Sequence, residues 1–151
     1  MSMFSAFNIN ASGLTAQRLR MDVISENVAN ANTTRTEDGT PYRRKVVTFA
    51  QKGDQTSFSK VLGSVTNSYN GYSGQGVKVD GIYEDYKTEM NMVYDPSHPD
   101  ADENGYVTYP NVNIVTEMTN LIDASRAYEA NATAFNASKS MALQGLELNQ
   151  R

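Results

Sequence analysis

Four groups of residues have types and spacings suited to chemistry. Asp100-Ala101-Asp102-Glu103-Asn104-Gly105 repeats the opening of an EF-hand calcium loop, with oxygen donors at loop positions 1, 3 and 5 and a glycine for the sharp turn. The match stops there. Loop position 12, which calls for a bidentate glutamate, is Asn111, and Pro96 and Pro99 deny the loop an incoming helix. A hydrogen-bonded turn is therefore expected in place of a metal site. His98, the one histidine, lies among Asp95, Ser97 and Asp100, the residue types of a hydrolytic triad. Held between two prolines in an extended loop, it is expected to pack or hydrogen-bond. Arg43-Arg44-Lys45 has the charge of a phosphate patch, but with Glu37, Asp38 and Asp54 near it in sequence it reads as a solvated strand edge that discourages pairing. Asp123, Arg126 and Glu129 are spaced i, i+3, i+6, which predicts ion pairs within one helix or, alternatively, across a subunit boundary.

Composition removes much of the rest. The chain has 151 residues, 39% hydrophobic and 20% charged, enough for one modest core. With no cysteine there is no disulfide, thiolate metal site or cysteine nucleophile, and one histidine excludes a multi-histidine site. The net charge of −4 argues against nucleic-acid binding driven by phosphate neutralisation. No stretch approaches the roughly 20 apolar residues of a membrane helix, and the first residues lack the basic start and apolar run of a secretory signal. Sequons at Asn10, Asn32, Asn131 and Asn136 reflect richness in Asn, Ser and Thr. The chain reads as a non-enzyme without cofactor, metal, nucleic-acid partner or membrane insertion.

The elements that must position these residues follow from the helix breakers. All four prolines and eight of the ten glycines lie between 39 and 110, so both ends are left to helix. Phe7, Leu14, Met21 and Val28 recur every seven residues in the first end, and Ile114, Leu121, Tyr128, Phe135 and Ala142 in the second. Placing these at d puts Met118, Ser125, Ala132, Lys139 and Leu146 at a, a mixed row. The predicted fold class is mainly α, with long N- and C-terminal helices packed as an antiparallel coiled coil around a small β-ribbon and loops. Helices over about 2–32 and 111–149 would span roughly 45 and 60 Å. Asn111 or Asn113 can cap the second, after Pro110. The ribbon pairs Pro41–Phe49 with Gly76–Tyr83, and 51–75 reads as a mobile insertion. Both helices carry few charges and many Asn, Ser, Thr and Ala, which suits helices surrounded by other protein and ordered on assembly. The organisation is 1–34 helix, 35–110 ribbon and loops, 111–151 helix. A soluble coiled-coil adaptor or chaperone would share that outline.

Ser12-Gly13-Leu14-Thr15-Ala16-Gln17 and Asp22-Val23-Ile24-Ser25-Glu26-Asn27-Val28-Ala29-Asn30-Ala31-Asn32-Thr33 resemble the N-terminal signature of bacterial flagellar axial proteins, the rod and hook family. Pro41-Tyr42-Arg43-Arg44-Lys45, the run from Tyr94-Asp95-Pro96 to Gly105-Tyr106-Val107, Pro110-Asn111-Val112-Asn113, Glu117-Met118 and Ser125-Arg126-Ala127-Tyr128-Glu129-Ala130-Asn131 resemble its proximal rod members. The resemblance implies a structural subunit whose terminal helices line an inner tube while the middle contacts neighbours. It also implies export through the flagellar type III apparatus, and a place in the basal-body rod outside the cytoplasmic membrane. The implied partners are copies of itself, other proximal and distal rod proteins, a rod–export-gate adaptor and the basal-body ring. The family-like positions singled out are Asn27, Ala29, Asn30, Thr33, Asp95, Pro96, Gly105, Tyr106, Arg126, Tyr128 and Asn131.

Overall fold

A computed structural model describes residues 3–52 and 75–148. Most of the predicted insertion at 51–75 lies outside them. The chain is mainly helical, with helix α1 (Met3–Ala29), strands β1 (Lys45–Gln51), β2 (Val77–Glu84), β3 (Asn91–Tyr94) and β4 (Tyr106–Tyr109), and helix α2 (Ile114–Leu148). Neither helix contains proline, and several Ser and Thr hydroxyls that would compete with the helix turn back onto it. Thr15 donates to the Ala11 carbonyl, Ser25 to Met21, Thr119 to Val115, Thr133 to Glu129 and Ser138 to Ala134. Asn113, not Asn111, caps α2: its Oδ1 accepts from the N–H groups of Val115 (3.0 Å) and Thr116 (3.2 Å).

The two helices pack on one another in opposite directions. The Phe7 and Phe135 rings meet edge to face at 5.1 Å. A Cβ at Gly13 would stand 2.7 Å from Asn131 Oδ1, so a larger residue there would have to displace the Asn131 side chain, and Asn27 donates to Glu117. On α2 the inward residues are Glu117 and Ala124, both essentially inaccessible, followed seven by seven by half-buried Asn131 and Ser138. This row corrects the assignment of Met118, Ser125, Ala132, Lys139 and Leu146 to the inner side, since Met118, Lys139 and Leu146 are exposed. Small and polar residues flank the bulky row on both sides, so periodicity alone carries no sign of which flank is buried.

β1 and β2 form the expected ribbon, antiparallel and starting at Lys45 where Pro41 was expected, with Lys45 opposite Glu84, Val47 opposite Ile82 and a bulge between Thr48 and Phe49. A second hairpin, unforeseen in the sequence, pairs β3 with β4, Tyr94 opposite Tyr106. Its strands are four residues each, too short for alternation to stand out. The EF-like run lies in its connection. Asp102 Oδ1 accepts from the N–H groups of Asn104 (2.9 Å) and Tyr106 (2.8 Å), and Gly105 sits at φ +81°. Among the described residues the buried apolar side chains are few: Ala16, Val23, Ile24, Ala31, Tyr42, Val107, Val112 and Ala124.

Candidate functional site

The Tyr42-Arg43-Arg44-Lys45 strand entrance is gripped between the last turn of α1 and the first turns of α2 by a buried polar clasp. Asn27 uses its whole hydrogen-bonding capacity. Its Oδ1 accepts from the Tyr42 hydroxyl and the Lys45 N–H, both at 2.9 Å, and its Nδ2 donates to the Lys45 carbonyl (2.8 Å) and Glu117 Oε2 (3.1 Å). The side-chain amide thus pairs with both backbone groups of Lys45 as a neighbouring strand would. Glu117 Oε1 accepts from Arg44 Nε (2.9 Å) and lies 2.8 Å from Arg44 Nη2, while Asn120 donates at 3.3 Å. A carboxylate this buried is tolerable only with such partners, and its place in the first turn of α2 adds the helix dipole.

Asn111 closes the other side. Its Oδ1 accepts from the Arg44 N–H (2.9 Å), and its Nδ2 donates to the carbonyls of Asp85 (2.9 Å) and Thr88 (3.1 Å). Arg44 also reaches Asp85 at 3.4 Å, Lys45 pairs with Glu26, and Arg43 lies over the Tyr86 ring at 4.3 Å. The three cations are therefore not a solvated edge, and the sequence expectation is corrected: each has a specific partner brought by α1, α2 or the turn after β2. Burial first, and then Glu26, Glu117 and Glu84, push the Tyr42 hydroxyl up to about 12. The Thr88 hydroxyl, with the N–H groups of Thr88 and Lys87, holds Asp85 below its ordinary value.

The other singled-out residues divide into two sets. Thr33 and Asn30 shape the chain leaving α1: Asn30 Nδ2 donates to Glu26 (3.0 Å), Thr33 Oγ1 donates to Asn30 Oδ1 (3.2 Å), and the Thr33 carbonyl accepts from Tyr42 N–H (3.1 Å). Asp95 accepts from both the N–H and hydroxyl of Ser97, which lower its carboxyl, and its N–H donates to the Gly105 carbonyl. Pro96 packs close to Gly105, and Tyr106 stacks edge to face on Tyr94 at 5.3 Å. Asn131 Nδ2 donates to the Ala127 carbonyl. The second set is only partly covered. Ala29 and Arg126 are exposed, Ile114 and Tyr128 partly so, while Phe7, Leu14, Met21, Val28, Leu121 and Phe135 are half-buried. Asp123, Arg126 and Glu129 are exposed and make no ion pair among the described residues, against the intrahelical pairs expected.

His98 Nδ1 accepts from the Asp100 N–H at 3.1 Å, and Asp100 accepts from Thr34 (2.8 Å) and lies 3.9 Å from Arg35, so neither group is aimed at a common substrate. No group of three or more His, Asp or Glu among the described residues is placed to hold a metal, and no described helix is long and apolar enough to cross a membrane. The clasp was not foreseen from sequence beyond Asn27. Glu117 stands four residues before Leu121 and so flanks the bulky row, but only packing makes that flank the one that faces the partner helix.

The two segments that meet at the clasp match known families. Residues 7–35 match the family described as flagella basal body rod protein, and 103–148 that described as flagellar basal body rod FlgEFG protein C-terminal. The flagellar basal-body rod protein FlgC of Bacillus subtilis (strain 168) is 47% identical over 154 residues, covering 99% of this chain and 100% of that one. The chain belongs to the FlgC family of flagellar basal-body rod proteins. The FlgC proteins of Borreliella burgdorferi (49% identical, 99% of each chain) and Salmonella typhimurium (39%, 99% of this chain and 100% of that one) agree. As a FlgC-family member the chain is a structural subunit of the basal-body rod, not an enzyme.

Proposed function

We propose that this rod subunit belongs to the proximal rod, where copies assemble with one another and with other rod proteins into the shaft that transmits torque. End-to-end likeness to FlgC proteins, across both helices and the segment between them, carries the reading. The α1–α2 pair packs as an antiparallel coiled coil in the inner tube, formed from 1–34 and 111–151, and 35–110 faces outward to neighbours. The seam runs through Phe7, Leu14, Met21, Val28, Ile114, Leu121, Tyr128 and Phe135. Half-burial of most of these in the single chain supports the idea that assembly completes their cover. Open head-to-tail contacts of this kind build helical assemblies, and many small contacts share the load. Proximal and distal rod proteins, the rod–export-gate adaptor and the basal-body ring are the partners, reached after export through the flagellar type III apparatus. Replacing Leu121 and Tyr128 together by aspartate should abolish rod assembly and swimming; normal motility in that double variant would refute the seam.

A further inference from the structure

α2 is longer than α1, 35 residues against 27, and the two are level where Asn27 meets Glu117. The excess therefore lies at the C-terminal end of α2, whose last two turns run roughly 12 Å past the described start of α1. The row that packs on α1 reaches this tail only as Gly145, where a Cβ would touch nothing, and Leu143 and Leu146 beside it are 52% and 62% exposed. Leu143, Leu146 and Glu147 stand at i, i+3 and i+4, on one face. At the opposite end of the same helix a second face is bare. Val115, Met118 and Ile122 are 75%, 54% and 53% exposed at i, i+3 and i+7, and exposed Arg126 extends the line by one more turn. Neither Glu147 nor Arg126 has an ion-pair partner among the described residues.

We propose that the α2 tail is a docking element for the start of the corresponding helix in an adjoining rod-family subunit. Leu143 and Leu146 cover that subunit's apolar face, of the kind shown here by Val115, Met118 and Ile122. Glu147 pairs with its arginine, in the place of Arg126. Three observations select this occupant. The tail prolongs an existing helix–helix interface, so its natural cover is another helix. The two faces match in both apolarity and charge, and they lie at opposite ends of one rod-like element, as a non-closing head-to-tail contact requires. The C-terminal segment 103–148, which contains both faces, is the part matched by the FlgEFG C-terminal family.

The inference rests on the rod reading, and the experiment separates the two. Leu146→benzoylphenylalanine is expressed in the motile cell, the cells are irradiated, and basal bodies are isolated for peptide mapping. The expected photoproduct joins residue 146 to the start of the C-terminal helix of a rod subunit, severalfold more abundantly than with Met141→benzoylphenylalanine, which labels the opposite side of the tail. Photoproducts mapping to any other segment, equal yields from the two positions, or none in basal bodies that contain the variant would overturn the contact. Leu143→benzoylphenylalanine is the second probe. If both tail probes are kept out of basal bodies that admit the Met141 variant, Glu147→Arg must also lower incorporation, and its full incorporation would overturn the contact. Absence of the unsubstituted chain from isolated basal bodies would instead remove the rod reading itself.

Discussion

At the scale of single residues, the clasp makes Asn27 irreplaceable by its nearest chemical relatives. Aspartate keeps both acceptor contacts but loses both donors, and sets a charge against Glu117 Oε2, now 3.1 Å away. Asn27→Ala should lower the unfolding free energy by about 2 kcal/mol, the cost of orphaned buried partners. Asn27→Asp should cost more at neutral pH and recover as the solution is acidified, because one of two facing carboxyls then takes a proton. Adding Glu117→Gln to Asn27→Asp restores a donor across the gap and should recover part of the loss, read by urea unfolding; no recovery would contradict the assigned geometry. Tyr42 supplies an alkaline signature. Its hydroxyl ordinarily titrates at 10.0 and here at about 12. Below pH 10 it is protonated whether folded or not, and its full contribution is present. Between 10 and 12 the unfolded chain releases the proton and the folded one does not, so stability falls across that window. Tyr42→Phe should flatten that decline in a pH series of thermal midpoints.

At the scale of elements, the ribbon is fixed to α1 by a contact as local as the clasp. Ser12 Oγ accepts from the Val77 N–H at 3.1 Å while its own hydroxyl donates to the Ile9 carbonyl. The contact requires Gly76, which has φ +93° and whose missing Cβ would run into Ser12 Oγ. Gly76→Ala should therefore destabilise by about 1–3 kcal/mol, through strained backbone and a displaced serine together. Loss of hydrogen-exchange protection in Val77–Glu84 ahead of the helices would report it; unchanged protection there would refute it. This ribbon is legible in the sequence because its strands are seven and eight residues long and rich in Val. The β3–β4 hairpin is not, since its four-residue strands offer too few positions for a period.

At the scale of the whole molecule, the described residues bury a thin core, and three of the most buried side chains, Glu117, Asn27 and Asn111, are polar. Polar contacts specify register well but contribute little net stability, so much of the helix pair's order should come from its neighbours. Amide exchange over 7–32 and 114–146 should be fast in the purified chain and strongly slowed in isolated basal bodies; equal protection in the two would show that the pair is self-sufficient.

Two helices around a breaker-rich middle, their heptad rows and the kinship with rod proteins were all written in the sequence, because helix breaking and apolar periodicity act locally along the chain. The identity of the inward row was not, since alanine, serine and asparagine flank the bulky row on either side and only packing chooses between them. Nor was the fate of Arg44 and Glu117. Seventy-three residues separate them, and a charge at either position has the same local meaning whether it is solvated or buried. Only the tertiary fold, by bringing the start of β1 between the ends of two helices, removes the water and makes each the other's partner.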